Sequence, residues 1–142
     1  MTADWGRLAA PDLGEMERLA DEAFARLPEE FRALARDVVV RVDDFPTDDV
    51  LKELEAESEF DLLGLFTGVG LAQGEAAPRT GQFPNVIHLY RRPILDYWAE
   101  HEETLGAIVT HVLVHEIGHH FGLSDDDMEA IEALADAETA PA

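Results

Sequence analysis

The sequence predicts one α+β domain, a small mixed sheet of three to four strands packed against helices. Apolar residues recur at helical spacing from Met16 to Leu27 and again from Leu105 to Phe121. Between these stretches lie short runs rich in β-branched residues, Val38 to Val42 and Asn85 to Arg91. The length of 142 residues, 46% of them apolar, suits one hydrophobic core and a single domain over 1–142.

The elements follow in order. Residues 1–11 read as a flexible lead-in ending at Pro11. Asp12 with Glu15 three residues on is a capping-box pattern, with Asp in place of the usual Ser or Thr. Met16, Leu19, Ala20, Ala23, Phe24 and Leu27 then mark an amphipathic helix that Pro28 ends, and Glu29 to Arg36 continues as a short helix. Val38 to Val42 is expected to be a buried core strand. Pro46 and Thr47 can start a helix over 48–57 with Val50, Leu51 and Leu54 facing inward, its acidic residues forming a solvated face. Leu62 to Val69 reads as a second strand, bent or at an edge because of Gly64 and Gly68. The Gly-, Pro- and Ala-rich stretch 74–84 is a loop, either a connector or a lid. Asn85 to Arg91 is the third strand, with His88 and Tyr90 on one face. A short helix starts at Pro93, a long apolar helix spans Thr104 to Gly122, and a last helix covers Met128 to Ala135 before a frayed end over 137–142.

Charge and composition exclude some functions. With 31 acidic and 10 basic residues the net charge is −21, which repels phosphate and argues against nucleic acid as a partner. The charge reads first as a strongly solvated surface and second as selection for basic substrates. The absence of cysteine removes disulfides and thiolate metal sites and fits a cytoplasmic protein. The N-terminus lacks a basic segment followed by an apolar one, so neither a signal peptide nor a membrane anchor is expected.

The chemistry lies in the long helix. His115-Glu116-Ile117-Gly118-His119-His120-Phe121-Gly122-Leu123-Ser124-Asp125 follows the pattern H-E-x-x-H-x-x-G-x-x-D. Histidines four apart on a helix project from one face and can share a metal, with the Glu beside them as general base. From this composition about 0.03 chance occurrences of H-E-x-x-H are expected, and about 2 in ten thousand once the Gly and Asp are required. The helix is apolar on most sides, and His115, Glu116 and His119 interrupt it, so these polar groups need partners that a metal can supply.

His115, His119 and a carboxylate give three protein ligands and one open position, the arrangement of a catalytic zinc. Asp125 is the simplest third ligand, because Gly122 can turn the chain back toward the histidines. Glu129, Glu132 and Glu138 are the more distant carboxylates, and Asp126 and Asp127 the neighbouring ones. His120 points about 100° away from His119 and is expected to pack or hydrogen-bond. His111, one turn before His115, reads as a surface residue or one that orients a ligand, with a fourth ligand as the alternative. Tyr90 is expected to be a core or surface residue, with a hydrogen bond to a developing oxyanion as its alternative role.

The segment from His115 to Asp125 resembles the metzincin consensus with Asp in place of the third His. With Leu27-Pro28-Glu29-Glu30-Phe31, Leu63-Gly64-Leu65-Phe66 and Ile87-His88-Leu89-Tyr90-Arg91-Arg92-Pro93-Ile94, the chain resembles minimal bacterial zincin-like metallopeptidases over roughly Glu15 to Met128. The resemblance implies a compact zincin fold, zinc on His115, His119 and Asp125, and Glu116 as base. Larger metzincins carry a methionine turn beneath the metal. Here the only later methionine is Met128, three residues past Asp125, so the floor of the site must be built differently. The expected activity is zinc-dependent hydrolysis of peptide bonds, as an endopeptidase acting on a peptide or protein. The alternative is a zincin-fold metal-binding module that regulates or interacts without much proteolysis.

Overall fold

Asp12 opens the first helix, α1 (Leu13–Ala25), through the reciprocal bonds expected of it. The Glu15 N–H donates to Asp12 Oδ1 at 2.8 Å, and the Asp12 N–H donates to Glu15 Oε1 at 3.1 Å. This computed structural model describes residues 4–68 and 85–139. After α1 come α2 (Glu29–Leu34), β1 (Val38–Asp43), α3 (Asp48–Glu53), β2 (Gly64–Thr67), β3 (Asn85–Tyr90), α4 (Arg91–Glu100), α5 (Leu105–His120) and α6 (Asp125–Thr139).

The strands form a mixed sheet in the order β1-β3-β2, with β3 parallel to β1 and antiparallel to β2. Opposed pairs such as Val42 with Leu89 and Phe66 with Ile87 set the register. Because side chains alternate, Val42, Ile87, Leu89 and Phe66 face α1 and α5, while Asp43, Leu65, Thr67, His88 and Tyr90 face the other way. Met16, Ala20 and Ala23 of α1 meet Val109, Leu113 and Ile117 of α5 in one core over the first face. Each fully buried Leu, Ile or Met there contributes about 1.5–3 kcal/mol relative to exposure. Helix α5 touches α1, α4, α6, β2 and β3, so the helix with the histidines is the hub of the fold. No helix among the described residues is long and apolar enough to cross a membrane.

The structure corrects several sequence expectations. The lead-in contains a 3₁₀ turn, Trp5–Arg7, with the Trp5 ring centroid 6.5 Å from that of Trp98 on α4. Among the described residues strand β1 is an edge and not a buried core strand: α1 covers one face, and Val39 on the other face is 46% exposed. Helix α3 stops at Glu53, because Glu55 adopts a left-handed φ of 55° and the Ala56 N–H closes back onto the Leu51 carbonyl at 3.0 Å. Leu54 is therefore 47% exposed instead of facing inward. Helix α4 begins at Arg91, two residues before Pro93, which lies inside the first turn where its missing N–H costs nothing. Helix α6 begins at Asp125 and reaches Thr139, beyond both expected limits. The predicted 74–84 loop and residues 140–142 lie outside the described residues.

Candidate metal centre

Thr104 caps α5, its Oγ1 accepting from the Ala107 N–H at 3.1 Å. Ile108, Val109, Leu113, Val114 and Ile117 are buried around most of the helix, leaving one stripe for His111, His115 and His119. The His115 and His119 ring centroids are 5.7 Å apart, with the rings at 89° to each other. The His111 ring lies against that of His115, with centroids 3.9 Å apart and the planes tilted by 31°. The expected pairing of the two motif histidines on one face is present, and a third imidazole extends it.

The end of α5 is a Schellman turn. The Leu123 N–H donates to the Gly118 carbonyl at 2.9 Å, and the Gly122 N–H donates to the His119 carbonyl at 3.2 Å. Gly122 has φ of 79°, in the region where a side chain is strained. Ser124 then caps α6: its Oγ accepts from the Asp127 N–H at 3.1 Å, while its own N–H donates to Asp127 Oδ2 at 3.3 Å. Gly122 thus returns the chain as the sequence reading requires, and Asp125 becomes the first residue of α6. Further along, Met128 is fully buried against Gly118 of α5. A methyl group at Gly118 would come within 2.6 Å of the Met128 sulfur. The floor beneath the motif is therefore a methionine of α6 seated on a bare helix position.

Two carboxylates of α6 approach the histidines. Asp125 Oδ1 lies 3.9 Å from His119 Nε2, and its side chain is 89% exposed. Glu132 Oε2 lies 3.0 Å from His115 Nε2, and Glu132 Oε1 lies 2.8 Å from His111 Nδ1. Ligand atoms of His111, His115 and Glu132 all fall within 4.8 Å of one another. His119 and Asp125 pair separately and do not join that group. Asp127 is engaged in the cap. Imidazole nitrogens with a carboxylate oxygen form a donor set suited to a borderline divalent metal, so these residues fit such an ion. Glu132 stood among the distant carboxylates in the sequence. Its signal is spacing, because Asp125 and Glu132 are seven apart, two turns of one helix.

Glu116 faces a different environment from the histidines. Burial raises its pKa above the ordinary carboxyl value, and the nearby His119 and a hydrogen bond from the Phe66 N–H offset this in part. The Phe66 ring stacks on His120 with centroids 3.7 Å apart and meets Phe121 edge-on at 6.2 Å. His120 thus packs, as expected, and holds β2 across α5 where its backbone reaches the base. A backbone donor has no side-chain signature, so nothing in the sequence marks the Phe66 amide as a partner of Glu116. Glu116 and His115 open into a cavity of about 370 Å³ between α5, the start of β2 and α4. Leu63, Ile108 and Val112 line it, and Asp61, Tyr97 and Glu103 also border it.

Tyr90 and His88 stand on the opposite face of the sheet from α5. They line a separate cavity of about 250 Å³ with Asp43 and Thr67. Thr67 Oγ1 lies 3.3 Å from His88 Nε2, and Asp43 Oδ2 lies 3.9 Å from His88 Nδ1. Tyr90 is a buried residue of this outer cavity.

A hub helix with a histidine pair, a partly buried glutamate between them and a returning acidic helix defines a metal-hydrolase class of site. The chain belongs to the zincin-like metallopeptidase family, whose family model matches residues 35–134. That match spans every described strand and helix α5, from Ala35 to Leu134 of α6. No curated protein matches the chain.

Proposed function

We propose that this protein is a zinc endopeptidase of the cytoplasm in which Glu116 is the general base. The observation that carries the proposal is Glu116 itself, a carboxylate raised in pKa by burial, flanked by His115 and His119 and opening on a cavity large enough for substrate. We assign His115, His119 and Asp125 to the metal, with Glu132 as the competing third ligand because it already engages His115. Bound zinc would supply the Lewis acidity that polarises a peptide carbonyl and acidifies water. Glu116 takes a proton from the attacking water at its carboxylate oxygen and delivers it to the departing amine nitrogen. The Phe66 N–H holds that carboxylate in place between the two transfers. Strand β2 is an edge of the sheet among the described residues, so an extended peptide can add to it as a further strand. A chain bound in this way runs through the site in both directions, which favours internal cleavage. The absence of cysteine supports the cytoplasmic assignment.

The test pairs metal analysis with a peptide-library screen of the wild type and Glu116→Ala. Cleavage by the zinc-loaded wild type, lost in the variant with zinc retained, is expected. Activity that survives the substitution overturns the assignment of the base. One equivalent of zinc with no cleavage of any peptide would favour the metal-binding module instead.

A further inference from the structure

The cavity beside Glu116 has two parts that the hydrolytic chemistry does not use. Its floor is apolar, from Leu63, Ile108 and Val112, the last two nearly fully buried. At its border stand two carboxylates that touch no histidine of the motif, Asp61 and Glu103, and each is held by a neighbour. Asp61 Oδ2 accepts from the Ser58 N–H at 3.1 Å, and Glu103 Oε2 accepts from the Tyr97 hydroxyl at 3.4 Å. Each retains acceptor capacity after these single bonds. Among the described lining residues the basic side chains are His115 and His111, and His111 already has Glu132 at 2.8 Å.

An apolar floor beneath an anionic border matches one kind of side chain, a long apolar stem with a cationic head. We infer that this cavity is the specificity pocket of the enzyme and selects a lysine or arginine next to the bond to be cleaved. Leu63, Ile108 and Val112 receive the methylene stem, and Asp61 and Glu103 receive the charged head. The volume of about 370 Å³ accommodates such a side chain with water around its head. A glutamate in the same position would meet Asp61, Glu103 and Glu116 together, a repulsion that the net charge of −21 reinforces at longer range. The inference rests on the hydrolytic assignment of Glu116 and names its substrate class.

The experiment uses the full chain loaded with zinc and one peptide series that differs only at the residue flanking the cleaved bond, as Lys, Arg, Leu or Glu. The expected kcat/KM is at least about tenfold higher for Lys and Arg than for Glu. The double variant Asp61→Asn/Glu103→Gln should compress that ratio to within about threefold, and Glu103→Lys should reverse its order. Raising the salt from 0.05 to 0.5 M should also compress the wild-type ratio, since the screening length falls severalfold. Binding of the same peptides to zinc-loaded Glu116→Gln, read by fluorescence anisotropy, should show the same order. A preference for Leu or Glu, or a Lys/Glu ratio unmoved in the double variant, overturns the pocket assignment while leaving the base intact. If the wild type cleaves nothing, the hydrolytic assignment falls, and the anisotropy order alone then decides whether the pocket selects cations.

Discussion

The sulfur of Met128 rests on the bare α-carbon of Gly118, so α6 approaches α5 between the two motif histidines. A methyl group at Gly118 has nowhere to go while the buried methionine stays in place. Ala gains up to about 1 kcal/mol over Gly in helix propensity, but overpacking a filled core costs about 1–3 kcal/mol. Gly118→Ala is therefore expected to be destabilised in urea unfolding and to bind zinc more weakly, because α6 carries the candidate carboxylates. Met128→Ala should lose about 2–5 kcal/mol through a cavity, and Met128→Leu less than about 1.5 kcal/mol. A Gly118→Ala variant as stable as the wild type would mean that α6 does not sit this close.

Glu116 carries a stability signature separate from activity. Its pKa is raised on folding, so the folded state favours the protonated acid. That contribution is fully present below the unfolded pKa and is lost as the pH rises through the folded value. In the metal-free protein, Glu116→Gln should thus be more stable than the wild type at neutral pH, and the difference should vanish under acidic conditions. Chemical denaturation across pH measures it. A constant difference at every pH would remove burial of this carboxylate as the cause. In catalysis, the acid limb of kcat/KM should lie above the ordinary carboxyl range, and Glu116→Gln should cost about 10²–10⁴-fold in rate.

The third ligand is decided by zinc affinity. Asp125→Ala should weaken zinc binding by at least about tenfold if Asp125 completes the site, and Glu132→Ala should then change it less. The opposite order transfers the role to Glu132, with His111 beside it. His115→Ala should be the most damaging single change, because His115 lies between both carboxylate sets. Competition titration with a zinc chelator measures all three on one scale.

Gly122 can be tested through the backbone alone. Its φ of 79° costs an L-residue about 1–2 kcal/mol, so Gly122→Ala should be destabilised by that order. The same variant should lower zinc affinity, because the turn sets where α6 begins. Unchanged stability would mean that the turn relaxes without strain.

Much of this was legible in the sequence because it is local. The capping box at Asp12 and Glu15, the helix from Thr104 to Gly122 and the turn at Gly122 each rest on residues within one or two helical turns of each other. His115 and His119 share a face by the helical period alone. What remained hidden depends on distant pairing. Val38 to Val42 looks like a core strand by composition, and only the strand order makes it an edge. The Phe66 amide reaches Glu116 because β2 pairs with β3 and His120 stacks on Phe66, neither of which leaves a pattern in the chain. Glu132 was visible as one of several carboxylates, and its contact with His111 and His115 required the inter-helix packing that Gly118 permits.

Every candidate ligand, from His111 to Glu132, lies within one helical hairpin. Contacts so close in sequence cost little chain entropy to bring together. The Phe66 bond to Glu116 and the place of Gly64 in the wall of the cavity beside it depend instead on long-range strand pairing. If the site works as proposed, holding the ion asks only for one hairpin, whereas cleavage asks for the completed sheet as well.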